Sequence, residues 1–471
     1  LDRPAASGRP WSSHLDVSSD LTGLTIDAPR PFAKRPTDAR PTRVVLDLPQ
    51  PGRNDLRIES GAARAVLEFT RRADERWILD RGAARFDGRP LSSPSRPGLL
   101  VAGDWPEFDL GEWLALRSAT AGGPMLSDWL GPVDVHLDRA RVIGFEFLDV
   151  TASMQPLDGA WRIEVAGPMA AGAVTVPEDL SKGTPIGLHM QRLSLQSPRA
   201  VDRASEREEP TDPRGLPAIV LHAEDFSWEG RRFGRLVATV TRDARGLKLE
   251  RLAAQSESMT ISGSGSWLVE DGAPHTRLDL DFSSDDLAAA SRALGYRDAV
   301  TAERALVHAS LDWSGGPGGD AMARRNGSMR LELDRGQLRS VKPGAGRILG
   351  LTSVSALPRR LALDFRDVTD EGLAFDTVRG DFEVREGGAY TQNLLLKGAS
   401  VDIGVVGRTG LARQDYDQTV VVSGNPSGPI TIAGALAAGP VGAAGALLIS
   451  QMFKGQLQGL ARVYYRVTGS W

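Results

Sequence analysis

The sequence predicts a mostly β protein built on an elongated, largely antiparallel sheet with few helices. Three observations predict it. Apolar side chains recur at every second position in short runs, as in Val44, Leu46 and Leu48, or Val133, Val135 and Leu137. Turn signals such as Asp243-Ala244-Arg245-Gly246 and Glu270-Asp271-Gly272 separate these runs at intervals of roughly ten to fifteen residues, the mark of an antiparallel meander. Few windows carry a helical period.

Taken in order, Leu21–Ile26, Arg43–Leu48, Asp55–Ile58 and Ala65–Thr70 read as strands, and Leu110–Leu116 as the first helix. Strands resume with Val133–Leu137, a run through Ile143, Phe145 and Phe147, then Trp161–Val165 and Gly172–Val176. The spacing of Leu188, Met190, Leu193 and Leu195 shifts register, which predicts a bulge. Five runs follow Pro217: Ile219–Ala223, Arg235–Thr241, Gly246–Leu252, Met259–Trp267 and Thr276–Phe282. Between Ser284 and Tyr296 the pattern turns helical. Asp285 or Asp286 can cap, Leu287, Ala290 and Leu294 share a face, and Gly295 ends it. Ala305–Trp313 and Ser328–Leu333 are strands, Gly344–Leu357 a short helix, and alternation returns in Leu361/Leu363/Phe365 and Phe382/Val384. Leu394–Leu396, Val401–Val406, Thr419–Val422 and Arg462–Val467 complete the strands.

Two stretches stand apart. Ser197–Gly215 holds three prolines and a dense run of charges, which reads as a solvated, mobile loop. Between Asp417 and Lys454 there is no charged residue, and Pro429–Ile449 is mostly Ala, Gly and Leu. That length suffices to span a membrane, but Pro440 breaks or kinks a single helix. Short helices, Leu436–Ala438 and Val441–Phe453, are the better expectation. The expected organisation is a β-rich segment over 1–196, a loop over 197–216, a β-region over 217–430, and an apolar helical end with a final strand over 431–471.

Composition narrows function by exclusion. A net charge of −4 gives no electrostatic case for nucleic acid. The absence of cysteine removes disulfides, thiolate metal sites and cysteine nucleophiles. The six histidines, His14, His136, His189, His222, His275 and His308, lie far apart and match no zinc spacing. No serine-hydrolase elbow or P-loop occurs, and Gly263-Ser264-Gly265-Ser266 lacks the helix that a phosphate cradle needs. Asp285-Asp286 and Asp415–Asp417 continue into no calcium loop. The expectation is a protein without catalytic residues, metal or cofactor. The chain opens Leu-Asp-Arg-Pro, which reads as an internal piece of something longer.

Several segments resemble the C-terminal region of YhdP-type proteins of the AsmA-like family of the Gram-negative envelope. They are Trp313–Pro317, Lys342–Leu351, Leu357–Phe365, Glu371–Asp376, Asp415–Thr419 and the closing Tyr465–Trp471. The resemblance is specific from about Asp285 onward and looser from Pro217; before that it rests on the strand pattern. It implies a long protein held in the inner membrane by an N-terminal helix outside this chain. That protein crosses the periplasm as a curved β-groove, open along one side, and moves phospholipid toward the outer membrane. Phospholipid and the inner leaflet of the outer membrane, or a protein there, are the implied partners, and a monomer is expected.

On that expectation Leu278, Leu280, Phe282, Leu361, Leu363, Phe365, Phe382 and Val384 are candidates to line the groove. The same residues could equally pack under the helices as ordinary core. Leu436, Val441, Leu447, Leu448, Met452 and Phe453 are candidates to cap the groove or touch a membrane. The competing reading is a periplasmic β-scaffold for outer-membrane assembly that carries no lipid. An unbroken apolar stripe without charge favours the groove; a closed core with a polar exterior favours the scaffold.

Overall fold

A computed structural model describes residues 13–30, 32–92, 94–113, 128–196, 212–296, 299–317, 324–339, 373–399, 401–424 and 461–470. Strands dominate them, and no helix among the described residues is long and apolar enough to cross a membrane. The helix expected over Gly344–Leu357, most of the charged loop and the apolar end before Ala461 lie outside the described residues.

The chain divides into two compact units, Leu1–Arg207 with Leu221–Gly230, and Glu208–Val220 with Arg231–Trp471. The first holds β1 (Ser13–Ser19), β2 (Thr42–Gln50), β3 (Arg53–Ser60), β4 (Ala63–Arg71), β5 (Trp77–Arg85), β6 (Gly98–Asp109), β7 (Leu130–Val142), β8 (Phe145–Leu157), β9 (Ala160–Ala166), β10 (Ala170–Pro177), β11 (Ile186–Leu195) and most of β12 (Ile219–Trp228). β1 to β5 pair antiparallel in sequence, as do β7 to β11. β6 runs parallel to both β5 and β7. Parallel neighbours need crossover connections of about a dozen residues or more, and the long segments after Arg85 and Asp109 supply them. β12 follows the same logic. Ser227 Oγ donates to Ser194 Oγ at 2.9 Å, and the His222 and His189 rings stack at 5.3 Å with the same sequence offset, so β11 and β12 run in one direction.

The second unit is a plain meander. It comprises β13 (Arg231–Asp243), β14 (Gly246–Gln255), β15 (Thr260–Glu270), β16 (Ala273–Ser284), β17 (Val300–Ser314), β18 (Asn326–Leu338), β19 (Leu373–Arg385), β20 (Gly388–Lys397), β21 (Val401–Gly410), β22 (Asp415–Gly424) and β23 (Ala461–Ser470), each antiparallel to the next. The helix α1 (Leu287–Ala293) interrupts it between β16 and β17. The Asp286 carboxylate accepts from Ala289 N at 2.9 Å as its cap, and Gly295 turns the chain away at φ 74°. Leu287 from α1 packs with Phe282 against a closed cluster of Ala302, Ala305, Leu333, Phe375, Val378 and Leu396.

Two strand expectations are corrected. Leu21–Ile26 is a turn, because Leu21 at φ 54° and Gly23 at φ 87° leave the extended region. Ile143 lies not in a strand but at the β7–β8 turn, at φ 50° and 70% exposed. The register shift expected near Met190 is present: Ala171 faces Arg192 while Gly172 faces Met190, which leaves Gln191 as the extra residue.

Candidate functional site

Residues directly opposite in neighbouring strands share a face of the sheet. Followed through the registers of the second unit, one face stays apolar from strand to strand. One row reads Leu252, Gly263, Leu280, Ala309, Met329, Phe382, Thr391. The next reads Leu249, Gly265, Leu278, Leu311, Gly327, Val384, Ala389. A third reads Ala254, Ile261, Phe282, Val307, Leu331, Gly380. None of these residues is charged. The opposite face carries the charge: Ser262, Asp281, His308, Arg330 and Asp381 form one row there. His308 Nδ1 lies 2.8 Å from an Asp281 oxygen, and Arg330 Nε donates to Asp381 at 2.7 Å.

The first unit repeats the arrangement with different residues. Val17, Val44, Ile58, Ala65, Ala84, Val101, Val133, Met154, Ile163, Val174 and Leu188 form one uncharged row through eleven strands, β1 to β11. Parallel and antiparallel neighbours both keep the row, because in either ladder successive side chains alternate between faces.

Exposure separates parts of this face. In the second unit Leu278, Leu280, Val307, Leu311, Met329 and Leu331 are half-buried, so their apolar surface remains reachable by solvent. Phe382 and Val384 are 9% and 3% exposed and belong to a closed region. Glycines help to form the half-buried part. A Cβ on Gly263 would stand 2.7 Å from Leu280 Cδ2 and 2.4 Å from Asp279 O, so only glycine lets Leu280 lie across β15. In the first unit a patch of the apolar face is covered. Phe32 packs edge-on against Phe86, Trp105 and Trp113 with centroids 5.2 to 6.0 Å apart, over a cluster that includes Val135, Leu137 and Val150.

The structure thus brings five sequence-predicted residues, Leu278, Leu280, Phe282, Phe382 and Val384, onto one face. Leu361, Leu363 and Phe365, and the end candidates Leu436, Val441, Leu447, Leu448, Met452 and Phe453, lie outside the described residues. Val307, Leu311, Met329 and Leu331 belong to the same face and were missed as candidates; their alternation within Ala305–Trp313 and Ser328–Leu333 was the available signal. Among the described residues no group of His, Asp and Glu could hold a metal ion. A depression of about 560 Å³ is bordered by Ser18, Asp20, Arg43, Glu59 and Arg64.

A comparison with protein families matches residues 4–471 to the family described as "YhdP protein". The chain belongs to the YhdP family. A curated YhdP relative, "Intermembrane phospholipid transporter YhdP" of Escherichia coli (strain K12), is 23% identical across the whole of this chain. The chain spans 37% of that relative's length. No solved structure matches. For a member of the YhdP family, then, the described features of note are uncharged faces rather than a cleft with converging reactive groups.

Proposed function

We propose that this chain is a periplasmic section of a bridge that moves phospholipid between the two membranes of a Gram-negative envelope, with the acyl chains lying along the apolar face of the sheet. One observation carries the reading: rows of uncharged, half-buried side chains pass from strand to strand, with charged groups confined to the opposite face. A contiguous apolar face that stays partly open to solvent is the kind of surface that binds an apolar ligand. Acyl chains need a dry wall, and period-two alternation supplies one without any catalytic group. The open apolar face acts as a groove, and the lipid headgroup stays in water along its open side. Traffic runs toward the outer membrane, and the chain works as a monomer without cofactor. The name of the E. coli relative supports phospholipid as the cargo. The apolar end, with Leu436, Val441, Leu447, Leu448, Met452 and Phe453, serves as the delivery end, either capping the groove or touching the inner leaflet.

Photocrosslinking tests the reading. A photoreactive residue at Leu280 or Leu311 is expected to yield phospholipid adducts in cells, and one at Arg330, on the charged face, none. A folded protein that yields no lipid from Leu280 or Leu311 would sink the proposal and return the scaffold reading to the front.

A further inference from the structure

The apolar face of the second unit ends in a different chemistry. One step beyond the row of Gly265, Leu278 and Leu311 stand Trp267, Thr276 and Trp313, directly opposite one another. Two residues along a strand is about 7 Å, so this row borders the half-buried leucines. A glycine loop closes it: Gly315 N donates to Pro274 O at 2.7 Å, Thr276 Oγ1 to Gly315 O at 2.7 Å, and Trp313 Nε1 to Gly316 O at 2.8 Å. Two guanidinium groups gather at the loop. That of Arg325 lies over the Trp313 ring, 5.1 Å from its centroid. That of Arg324 packs on Gly315, where an added Cβ would be 3.3 Å from Nη1. The Trp267 ring lies against Gly316, and its buried indole N–H has no acceptor. Burial pulls the Arg325 guanidinium below the ordinary arginine value, the direction expected of a cation that has lost water. Two cations and a donor N–H beside aromatic rings, at the border of an apolar wall, match an amphiphile whose polar end is a phosphate.

We propose that Arg324, Arg325 and the Trp267 indole form a seat for the phosphodiester of a phospholipid whose acyl chains lie on the Leu278, Leu280 and Leu311 face. The seat deepens the lipid reading given above and rests on it. Arg325 holds the phosphate while stacked on Trp313, Arg324 adds a second donor fork, and the Trp267 N–H gains the acceptor it lacks.

Equilibrium binding to the full 471-residue chain tests it with three probes: fluorescent-acyl phosphatidylglycerol, a diacylglycerol with the same chains, and inorganic phosphate. Phosphatidylglycerol is expected to bind about tenfold more tightly than diacylglycerol, the scale of a charge-assisted hydrogen bond. The double variant Arg324→Ala/Arg325→Ala is expected to erase that preference. Trp267→Phe keeps a ring but removes the N–H, and is expected to reduce the preference in part even if the double variant misfolds. Equal binding of the two lipids to the unaltered chain overturns the seat and leaves the apolar face standing. Binding of neither lipid overturns the lipid reading and the seat together. Arginine-dependent binding of inorganic phosphate that does not compete with phosphatidylglycerol assigns the seat to a free anion and overturns its role for lipid.

Discussion

Leu280 and Val384 lie on the same face of the same unit, in adjacent rows, yet their surroundings differ. Leu280 is half-buried in the open centre of the face, whereas Val384 is 3% exposed. Both come from strands with the same alternation, uncharged side chains on one face and charged ones on the other. The difference is one of burial, not of the alternation in the strand itself. At one margin of the face Leu287 from α1 packs with the cluster around Ala305 and Leu333; over β15 to β18 the leucines keep exposed surface. A single sheet face therefore combines a wall that a ligand could reach with core that holds the unit together.

Charge insertion gives the widest contrast. Val384→Asp places an unpaired carboxylate in a closed region and is expected to cost about 3–5 kcal/mol, a large part of a typical domain's stability. Leu280→Asp leaves the carboxylate within reach of water and is expected to cost about 1 kcal/mol while abolishing lipid crosslinking from neighbouring Leu311. Urea denaturation measures both. Equal losses would show that Leu280 is core and would remove the contrast. Truncation is the gentler version. Phe382→Ala is expected to cost about 3–5 kcal/mol through the cavity it leaves. Leu278→Ala is expected to cost about 1–2 kcal/mol, since part of that side chain's transfer energy is never gained.

The contrast explains what the sequence could and could not convey. Alternation in Leu278/Leu280/Phe282 and Phe382/Val384 correctly placed all five residues on apolar strand positions, because that period is local. The cap at Asp286, the stop at Gly295 and the shift near Met190 were legible for the same reason. Four things were not. The parallel neighbours of β6 carry the same alternation as antiparallel strands, and their direction depends on connections rather than on the strands. Leu21–Ile26 has apolar residues at strand-like spacing, but the positive φ at Leu21 and Gly23 makes it a turn. Which leucines stay half-exposed depends on distant segments that cover or leave each row, and no short window contains that information. The Trp267 and Trp313 row escaped notice because its members come from three separate strands and a loop.

The cap on α1 offers a subtler probe of the closed margin. Asp286→Ala removes the acceptor for Ala289 N and is expected to cost about 1 kcal/mol. Because Leu287 and Phe282 share the covered cluster, hydrogen exchange should quicken around Ala302 and Ala305 and stay unchanged at Leu311. Quickening across the whole face would mean that α1 supports the open rows as well.

The smallest expected effect lies in the covered patch of the first unit. Asp87 follows Phe86 directly, and the Arg85 guanidinium, helped by Arg89 N, holds its carboxyl down to about 2. A carboxyl depressed below its ordinary value of about 3.9 contributes stability at higher pH and loses it as pH falls. The contribution is complete above about pH 4 and is lost as pH falls toward about 2. Acidification across that window should therefore loosen the Phe86 contacts with Phe32 and Trp105, read as a change in tryptophan fluorescence. Asp87→Asn has no carboxyl to titrate, so its fluorescence should change less between pH 4 and pH 2. An identical acid transition in the variant would place the sensitivity in other carboxylates and detach Asp87 from the covered patch.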